Sequence, residues 1–183
     1  MRPPYGANCL VTIGGVSYAV METSDSSGGA WVEVLNGPVG LRCWWADPLT
    51  CRDDIDAKSV ANRVYIVLPE VFGVNAWVRS VADRLAANGY PALAVPLFAR
   101  TAPGLELAYE PSDLAQGRRH KDATTTEQIL SDVAAALDWL RTRHPTAAIH
   151  VVGFCFGGHA AFLSATLPGV VAAFDFYGAG ISR

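Results

Sequence analysis

The chain has 183 residues, of which 51% are hydrophobic and 17% charged, and its formal net charge is −3 at pH 7. This length suffices for one well-buried domain and is too short for two of ordinary size. The mildly acidic balance gives no reason to expect a nucleic acid or an anionic membrane as a partner, and no apolar run approaches the roughly 18 residues that span a bilayer.

The cysteines of the chain indicate its compartment. They show neither C-x-x-C pairing nor the spacing of metal ligands. Free thiols in a reducing compartment are the simplest interpretation, so we expect a cytoplasmic protein without a bound metal. The cysteines are Cys9, Cys43, Cys51 and Cys155.

The N-terminal part carries little pattern. Residues 1–29 end in the run S-D-S-S-G-G and are predicted to form a tail ahead of a folded domain, residues 30–183. The run W-V-E-V-L, the turn dipeptide Asn36-Gly37 and the run P-V-G-L-R-C-W-W predict a β-hairpin that precedes the main sheet. Residues 46–63 are polar, with clustered charges, and are predicted to be a surface loop.

From residue 64 onward, apolar runs of strand length alternate with amphipathic helical patterns. Asn75 can cap the first helix, and Thr124 or Thr125 the second, each threonine with a Glu or Gln three residues further on, as in a capping box. The polar stretch 100–122 between them is predicted to be irregular. This alternation predicts right-handed crossovers and an α/β fold with a mostly parallel sheet and helices on both faces. The predicted strands cover residues 64–68, 91–98, 149–152 and 170–176.

The strongest chemical signal begins at Ala148, in A-I-H-V-V-G-F-C-F-G-G-H. A β-branched run leads into a G-x-C-x-G segment centred on Cys155 and then directly into an alanine-rich helical pattern. This is the arrangement of a nucleophile elbow, in which glycines let the backbone cross a sharp strand-to-helix turn. Such a turn places Cys155 at a helix N-terminus, which favours its thiolate. The alternative is that Cys155 is a small apolar residue packed beside the strand.

Glu70 is the second candidate, because it follows the first predicted parallel strand. Ligands of open α/β sheets gather beyond the carboxyl ends of the strands, where Cys155 is also expected. Pro69 and the apolar segment 71–73 surround this carboxylate, and a partly buried carboxylate beside a thiol can hold or receive its proton. A solvated glutamate at a strand end is the alternative.

Four motifs, in order along the chain, resemble those of the dienelactone hydrolase family: L-P-E-V-F-G-V-N-A-W-V-R-S-V-A-D-R-L-A-A-N-G-Y, P-L-F-A-R-T-A-P-G, G-F-C-F-G-G-H-A-A-F-L and F-Y-G-A-G. The resemblance runs from about residue 31 to 183 and implies the α/β-hydrolase fold. It implies that Cys155 is the nucleophile, that Glu70 contacts it in the resting enzyme, and that the backbone N–H groups of Phe156 and Val71 form the oxyanion hole. It also implies a small-molecule ester or lactone as substrate, without a cofactor.

The chain departs from this family after the elbow. Hydrolases of this fold order their triad as nucleophile, acid and histidine, and Asp175 lies one strand too early for the acid. All the histidines are unsuited by position; they are His120, His144, His150 and His159. We therefore expect a chain that lacks the C-terminal third of the fold, whose turnover is impaired and whose exposed sheet edge favours self-association.

The basic cluster at residues 118–121 admits two interpretations. A solvated helix entry is favoured, and a site for a substrate carboxylate is the alternative, because family members bind such a carboxylate through arginines. Two further functions stay open besides a Cys hydrolase. One is a non-catalytic remnant that acts through association; the other is a different Cys-elbow fold, such as the glutamine-amidotransferase-like group, against which the segment P-E-V-F-G-V-N argues.

Overall fold

The computed structural model describes residues 9–13, 16–20, 28–48 and 62–181. The strands are β1 (Cys9–Ile13), β2 (Val16–Val20), β3 (Ala30–Asn36), β4 (Val39–Ala46), β5 (Arg63–Leu68), β6 (Ala92–Ala94), β7 (Ala148–Phe154) and β8 (Val170–Phe176). The helices are α1 (Ala76–Ala87), α2 (Pro111–Asp122), α3 (Thr126–Arg143) and α4 (Phe156–Ser164).

One mixed sheet of six strands has the order β3-β4-β6-β5-β7-β8. Strands β6, β5, β7 and β8 run parallel to one another, and the antiparallel β3–β4 hairpin joins them through β4 and β6. The hairpin turns at Gly37, whose φ of 58° lies in the left-handed region that glycine tolerates. Both the predicted hairpin and the mostly parallel sheet are therefore confirmed.

Each face of the sheet packs against helices, because successive strand residues point to opposite faces. On one face, Ile66 and Leu68 of β5 belong to the same buried cluster as Leu137 of α3 and Ala160 of α4. On the other face, Val67 belongs to a cluster with Val78 of α1. Removal of these apolar side chains from water is the main force that holds the layers together. Helices on both faces were predicted, and the prediction is confirmed.

The predicted helix starts are also confirmed. The side chain of Asn75 accepts a hydrogen bond from the backbone N–H of Val78 at 3.2 Å and so caps α1. Thr125, rather than Thr124, caps α3 in a reciprocal capping box with Gln128. The hydroxyl of Thr124 instead donates to the carbonyl oxygen of His120 at the end of α2.

Two predicted segments are wrong in detail. Residues 111–122 form helix α2, although they were expected to be irregular. Helix α2 buries only one residue, Gly117, so its sequence shows no apolar stripe. Pro111 in the first turn and basic residues in the last turn favour the helix. The strand expected over residues 91–98 is the three-residue β6, since Pro96 has no N–H to continue the ladder.

Part of the predicted N-terminal tail is ordered into strands that the sequence pattern did not indicate. Strands β1 and β2 pair antiparallel as a two-stranded sheet of their own. The separation of residues 1–29 from a domain at 30–183 stays a prediction. Most of the predicted surface loop at 46–63 lies outside the described residues.

Strand β8 forms one end of the six-stranded order. Three of its apolar side chains face solvent, with Val171, Phe174 and Phe176 being 64, 44 and 48% exposed. A sheet edge with few charges is a ready template for another strand, but the self-association that this edge favours stays a prediction. No helix within the described ranges is long and apolar enough to cross a membrane.

Two leucines of the β3–β4 hairpin test which of its faces packs against the core. Leu41 is 0% exposed, whereas Leu35 is 69% exposed. Leu41→Ala should lower the free energy of unfolding by about 2–5 kcal/mol because it leaves a cavity, and Leu35→Ala should change it by less than about 0.5 kcal/mol. Urea denaturation measures both. Equal losses would contradict the packing described for this hairpin.

Candidate active site

Cys155 joins β7 to α4 in a strained backbone conformation. Its φ is 54° and its ψ is −115°, a combination that costs free energy for any residue with a side chain. The glycines on either side make the turn possible. A Cβ atom on Gly153 would lie 1.8 Å from the carbonyl oxygen of Gly157, and one on Gly157 would lie 2.3 Å from that of Leu68. The geometry is therefore that of a nucleophile elbow, and Cys155 is not a residue packed within the strand.

The end of β8 holds this strained turn in place. The backbone N–H of Cys155 donates to the carbonyl oxygen of Phe176 at 3.0 Å, and the N–H of Ala179 donates to the carbonyl oxygen of Cys155 at 3.2 Å. The N–H groups of Gly158 and His159, in the first turn of α4, donate to the same carbonyl. Backbone bonds on both sides of Cys155 thus fix the direction of its side chain.

The pKa of the Cys155 thiol is raised, and the largest cause is burial. The backbone N–H of Phe156 lowers the pKa, the charge of Glu70 raises it, and the cations of Arg118 and Lys121 lower it. The helix-terminus effect that the sequence indicated is therefore present in the Phe156 N–H, but desolvation of the thiolate outweighs it. The resting group is a thiol with nearby groups that can stabilise its ionised form.

Glu70 lies directly beyond β5, with its carboxylate held by two phenols. The hydroxyl of Tyr109 donates to Oε2 at 3.0 Å, and the hydroxyl of Tyr177 donates to Oε1 at 3.4 Å. Its effect on the Cys155 thiol is electrostatic. The sequence placed Glu70 and Cys155 at the same sheet edge, where the charge of Glu70 acts on the thiol; a direct contact between the two stays a prediction.

A cavity of about 200 Å³ opens beside the thiol. Helix α2 closes one side of it, and Gly117 allows the close approach, since a Cβ atom there would lie 2.2 Å from the carbonyl oxygen of Val71. Both residues predicted for the oxyanion hole, Phe156 and Val71, lie on the wall; their role stays a prediction. The lining residues are Val71, Leu114, Arg118, Lys121, Asp122, Cys155, Phe156 and Ala179.

Part of the basic cluster of α2 reaches the cavity, and part of it does not. Arg118 and Lys121, which are one helical turn apart, both line the cavity, whereas Arg119 is exposed outside it. Arg118 is exposed, and Lys121 pairs with Asp122 at 3.0 Å; the rest of the lining is mainly apolar. Both interpretations of the cluster, a solvated segment and a site for a substrate carboxylate, therefore stay predictions.

The histidines and Asp175 do not complete a triad in the described part of the chain. His144 ends α3 and packs against Trp45, with a pKa lowered mainly by burial. His150 stacks between Tyr65 and a phenylalanine of β8, and His159 stacks on Phe156 with its Nδ1 buried and without a partner. His120 packs near Phe98, and Asp175 lies exposed beside Gly158. None of these side chains lines the cavity.

The dienelactone hydrolase family model matches residues 55–183. The chain belongs to the dienelactone hydrolase family. It is 43% identical over 120 residues to a Synechocystis sp. protein provisionally named carboxymethylenebutenolidase, a match that covers 64% of this chain and 49% of that protein. It is 35% identical over 131 residues to carboxymethylenebutenolidase of Pseudomonas putida, covering 69% of this chain and 54% of that protein.

A solved structure shows the same architecture. The crystal structure of a Klebsiella pneumoniae protein provisionally named dienelactone hydrolase superposes with a TM-score of 0.66 at 26% identity, covering 82% of this chain and 59% of that one. The predicted family and the α/β-hydrolase fold are thus confirmed. The chain spans about half the length of the curated relatives it matches.

Sequence reasoning missed the two tyrosines at Glu70. Tyr177 belongs to the motif F-Y-G-A-G and could have been noticed as a polar group at a strand end. Tyr109 lies 39 positions after Glu70, in a stretch without a periodic pattern, so no local signal could connect the two. Leu114 and Asp122 of α2 were missed because that helix was not predicted, whereas Arg118 and Lys121 belong to the basic cluster that the sequence had singled out.

Arg118→Gln tests whether the cations of α2 act on the Cys155 thiol. The change removes a positive charge that stabilises the thiolate, so it should raise the pKa of Cys155 further. Below that pKa, alkylation of Cys155 by iodoacetamide should slow about twofold to fivefold, a modest effect because Arg118 is exposed and its charge is screened. The rate is read from the mass of the peptide that contains Cys155.

Arg119→Gln is the matched control, because Arg119 is the next residue of α2 and lies outside the cavity. It should leave the alkylation rate unchanged. Equal slowing in both variants would show that the net charge of the helix acts on the thiol, and not the position of Arg118.

Proposed function

We propose that this chain carries the nucleophile of a hydrolase that cleaves ester or lactone bonds through Cys155. The observation that carries the proposal is the strained elbow at Cys155, whose backbone bonds aim the side chain at a cavity. A residue that only filled space would need neither the left-handed backbone nor the flanking glycines. Membership of the dienelactone hydrolase family supports this reaction class.

The proposed reaction has two halves. The sulfur of Cys155 attacks the carbonyl carbon as its proton leaves, the bond to the departing oxygen breaks, and that oxygen takes up a proton. Water then cleaves the resulting thioester, which releases the acid and restores the thiol. The N–H groups of Phe156 and Val71 are the proposed donors to the oxyanion, and Glu70 is the proposed acceptor of the thiol proton as the sulfur attacks. No step uses a metal or a cofactor.

The substrate proposed for this site carries a negative charge. Arg118 and Lys121 line the same cavity as the thiol, and charge-assisted hydrogen bonds from such cations bind carboxylates more strongly than neutral donors do. An ester or lactone with a carboxylate near the reacting carbonyl would fit both features. The mainly apolar remainder of the wall would pack against its carbon skeleton.

The second half of the reaction is proposed to be slow in this chain. No histidine of the described residues lines the cavity, so water attacking the thioester lacks the usual general base. The acid and the histidine of the family's triad are proposed to lie outside the residues described here. Acylation should therefore exceed hydrolysis of the thioester.

Hydrolysis of an activated aryl ester, followed with a stopped-flow spectrophotometer, tests the proposal. We expect a burst that approaches one equivalent of phenol per chain, followed by little turnover, because the nucleophile is competent and its base is missing. Cys155→Ala should abolish the burst, although it keeps Cys9, Cys43 and Cys51 as a control for other thiols.

Each outcome separates the hypotheses. Steady turnover that is lost in Cys155→Ala would show that a general base hydrolyses the thioester from a position outside the cavity lining. A burst that survives in Cys155→Ala would contradict Cys155 as the nucleophile. Absence of burst and turnover would favour a non-catalytic remnant that keeps the fold.

A further inference from the structure

The carboxylate of Glu70 is held from two directions by segments that are distant in sequence. Tyr109 follows β6 by way of a long connection, and Tyr177 directly follows β8. Their hydroxyls reach different oxygens of the same carboxylate, Oε2 and Oε1 respectively. Each oxygen thus has a phenol donor of its own, which limits the rotation of the carboxylate.

The segment that carries Tyr109 is fastened to the loop after Glu70. The backbone N–H of Leu107 donates to the carbonyl oxygen of Phe72 at 2.9 Å, and the side chain of Asn75 donates to the carbonyl oxygen of Leu107 at 3.2 Å. The ring of Tyr109 packs on Phe72 with 4.6 Å between centroids. Its hydroxyl is therefore placed by the same loop that carries the carboxylate.

Tyr177 is placed by the elbow itself. It lies between the two residues, Phe176 and Ala179, whose backbones bond to Cys155. Its φ of 45° is in the left-handed region. A bulky residue adopts this conformation at a cost in free energy, and such strained residues cluster at functional sites. The strained backbone and the contact with Glu70 occur in one residue.

We propose that Tyr109 and Tyr177 are positioning residues that hold the Glu70 carboxylate between them and so keep the Cys155 thiol able to ionise. This inference rests on the proposed function, because it concerns the same nucleophile. It assigns to the two phenols a role in setting the reactivity of Cys155 that differs from binding substrate.

Loss of the two phenols should raise the pKa of Cys155, because of where the released Glu70 carboxylate would move. Without the phenols, Glu70 could accept a hydrogen bond from the thiol, which stabilises the protonated sulfur. It could otherwise pair with Arg118 or Lys121 and cancel the positive charges that stabilise the thiolate. Both destinations raise the pKa of Cys155 and lower its reactivity.

The test is the pH dependence of Cys155 alkylation by iodoacetamide in the 183-residue chain, measured for the Tyr109→Phe, Tyr177→Phe double variant. Each change removes one hydroxyl and keeps the ring. We expect alkylation at pH 8 to slow about threefold, which corresponds to a rise of about half a unit in the pKa of the thiol. The modest size reflects the exposure of the two tyrosines, 56 and 64%.

The role of Glu70 is tested by repeating the pair of changes in a Glu70→Gln background, where no charge is left to position. There the double variant should alkylate at the rate of Glu70→Gln alone. Tyr90→Phe is the matched control, since Tyr90 packs on Tyr65 away from the site, and it should leave the rate unchanged.

Three results would overturn the proposal. They are an unchanged or faster rate in the double variant, an equal slowing in the Glu70→Gln background, and an equal slowing in Tyr90→Phe. Urea denaturation of each variant separates a local effect from loss of folding. The assay needs no turnover. The phenols could therefore act on Glu70 even if hydrolysis were absent, and hydrolysis could occur even if the phenols had no effect on the thiol.

Discussion

The left-handed backbone at Cys155 is the constraint on which the rest of the site depends. Strain of this kind persists where the surrounding structure imposes it. Two parts of this structure impose it on Cys155. Glycines at 153 and 157 remove the Cβ atoms that would strike neighbouring carbonyls, and the end of β8 binds the turn from outside. The buried parallel strands that meet at this edge supply the rigid support, so the elbow is a product of the whole sheet.

The electrostatics of the site form a balance around one thiol. Burial favours the protonated sulfur, and the charge of Glu70 acts in the same direction, whereas the Phe156 N–H and two cations of α2 favour the thiolate. The thiol in this balance has a raised pKa, and small changes nearby would shift its ionisation. A bound anion beside Arg118 would be one such change, and a movement of the Glu70 carboxylate would be another.

The parts that sequence could predict are those with local signals. Apolar strands, the caps at Asn75 and Thr125, and the glycine-flanked cysteine each follow from a pattern within a few residues. Helix α2 could not be predicted because it is polar on nearly every side, with Gly117 as its one buried residue and Leu114 partly buried. The Tyr109–Glu70–Tyr177 contacts could not be predicted because they join three segments through tertiary structure alone. The position of Glu70 after a strand made it a candidate from the sequence alone, whereas the expected roles of the Phe156 and Val71 N–H groups came from the family resemblance.

The central claim is that Cys155 forms a covalent bond with the acyl group of an ester. The most direct measurement is the mass of each peptide after the chain is mixed with an activated ester, quenched in acid and digested. The account predicts one acyl group, on the peptide that contains Cys155, and its removal by hydroxylamine, as expected of a thioester. An acyl group found on another residue, or turnover of the ester with no acyl group on Cys155, would contradict it.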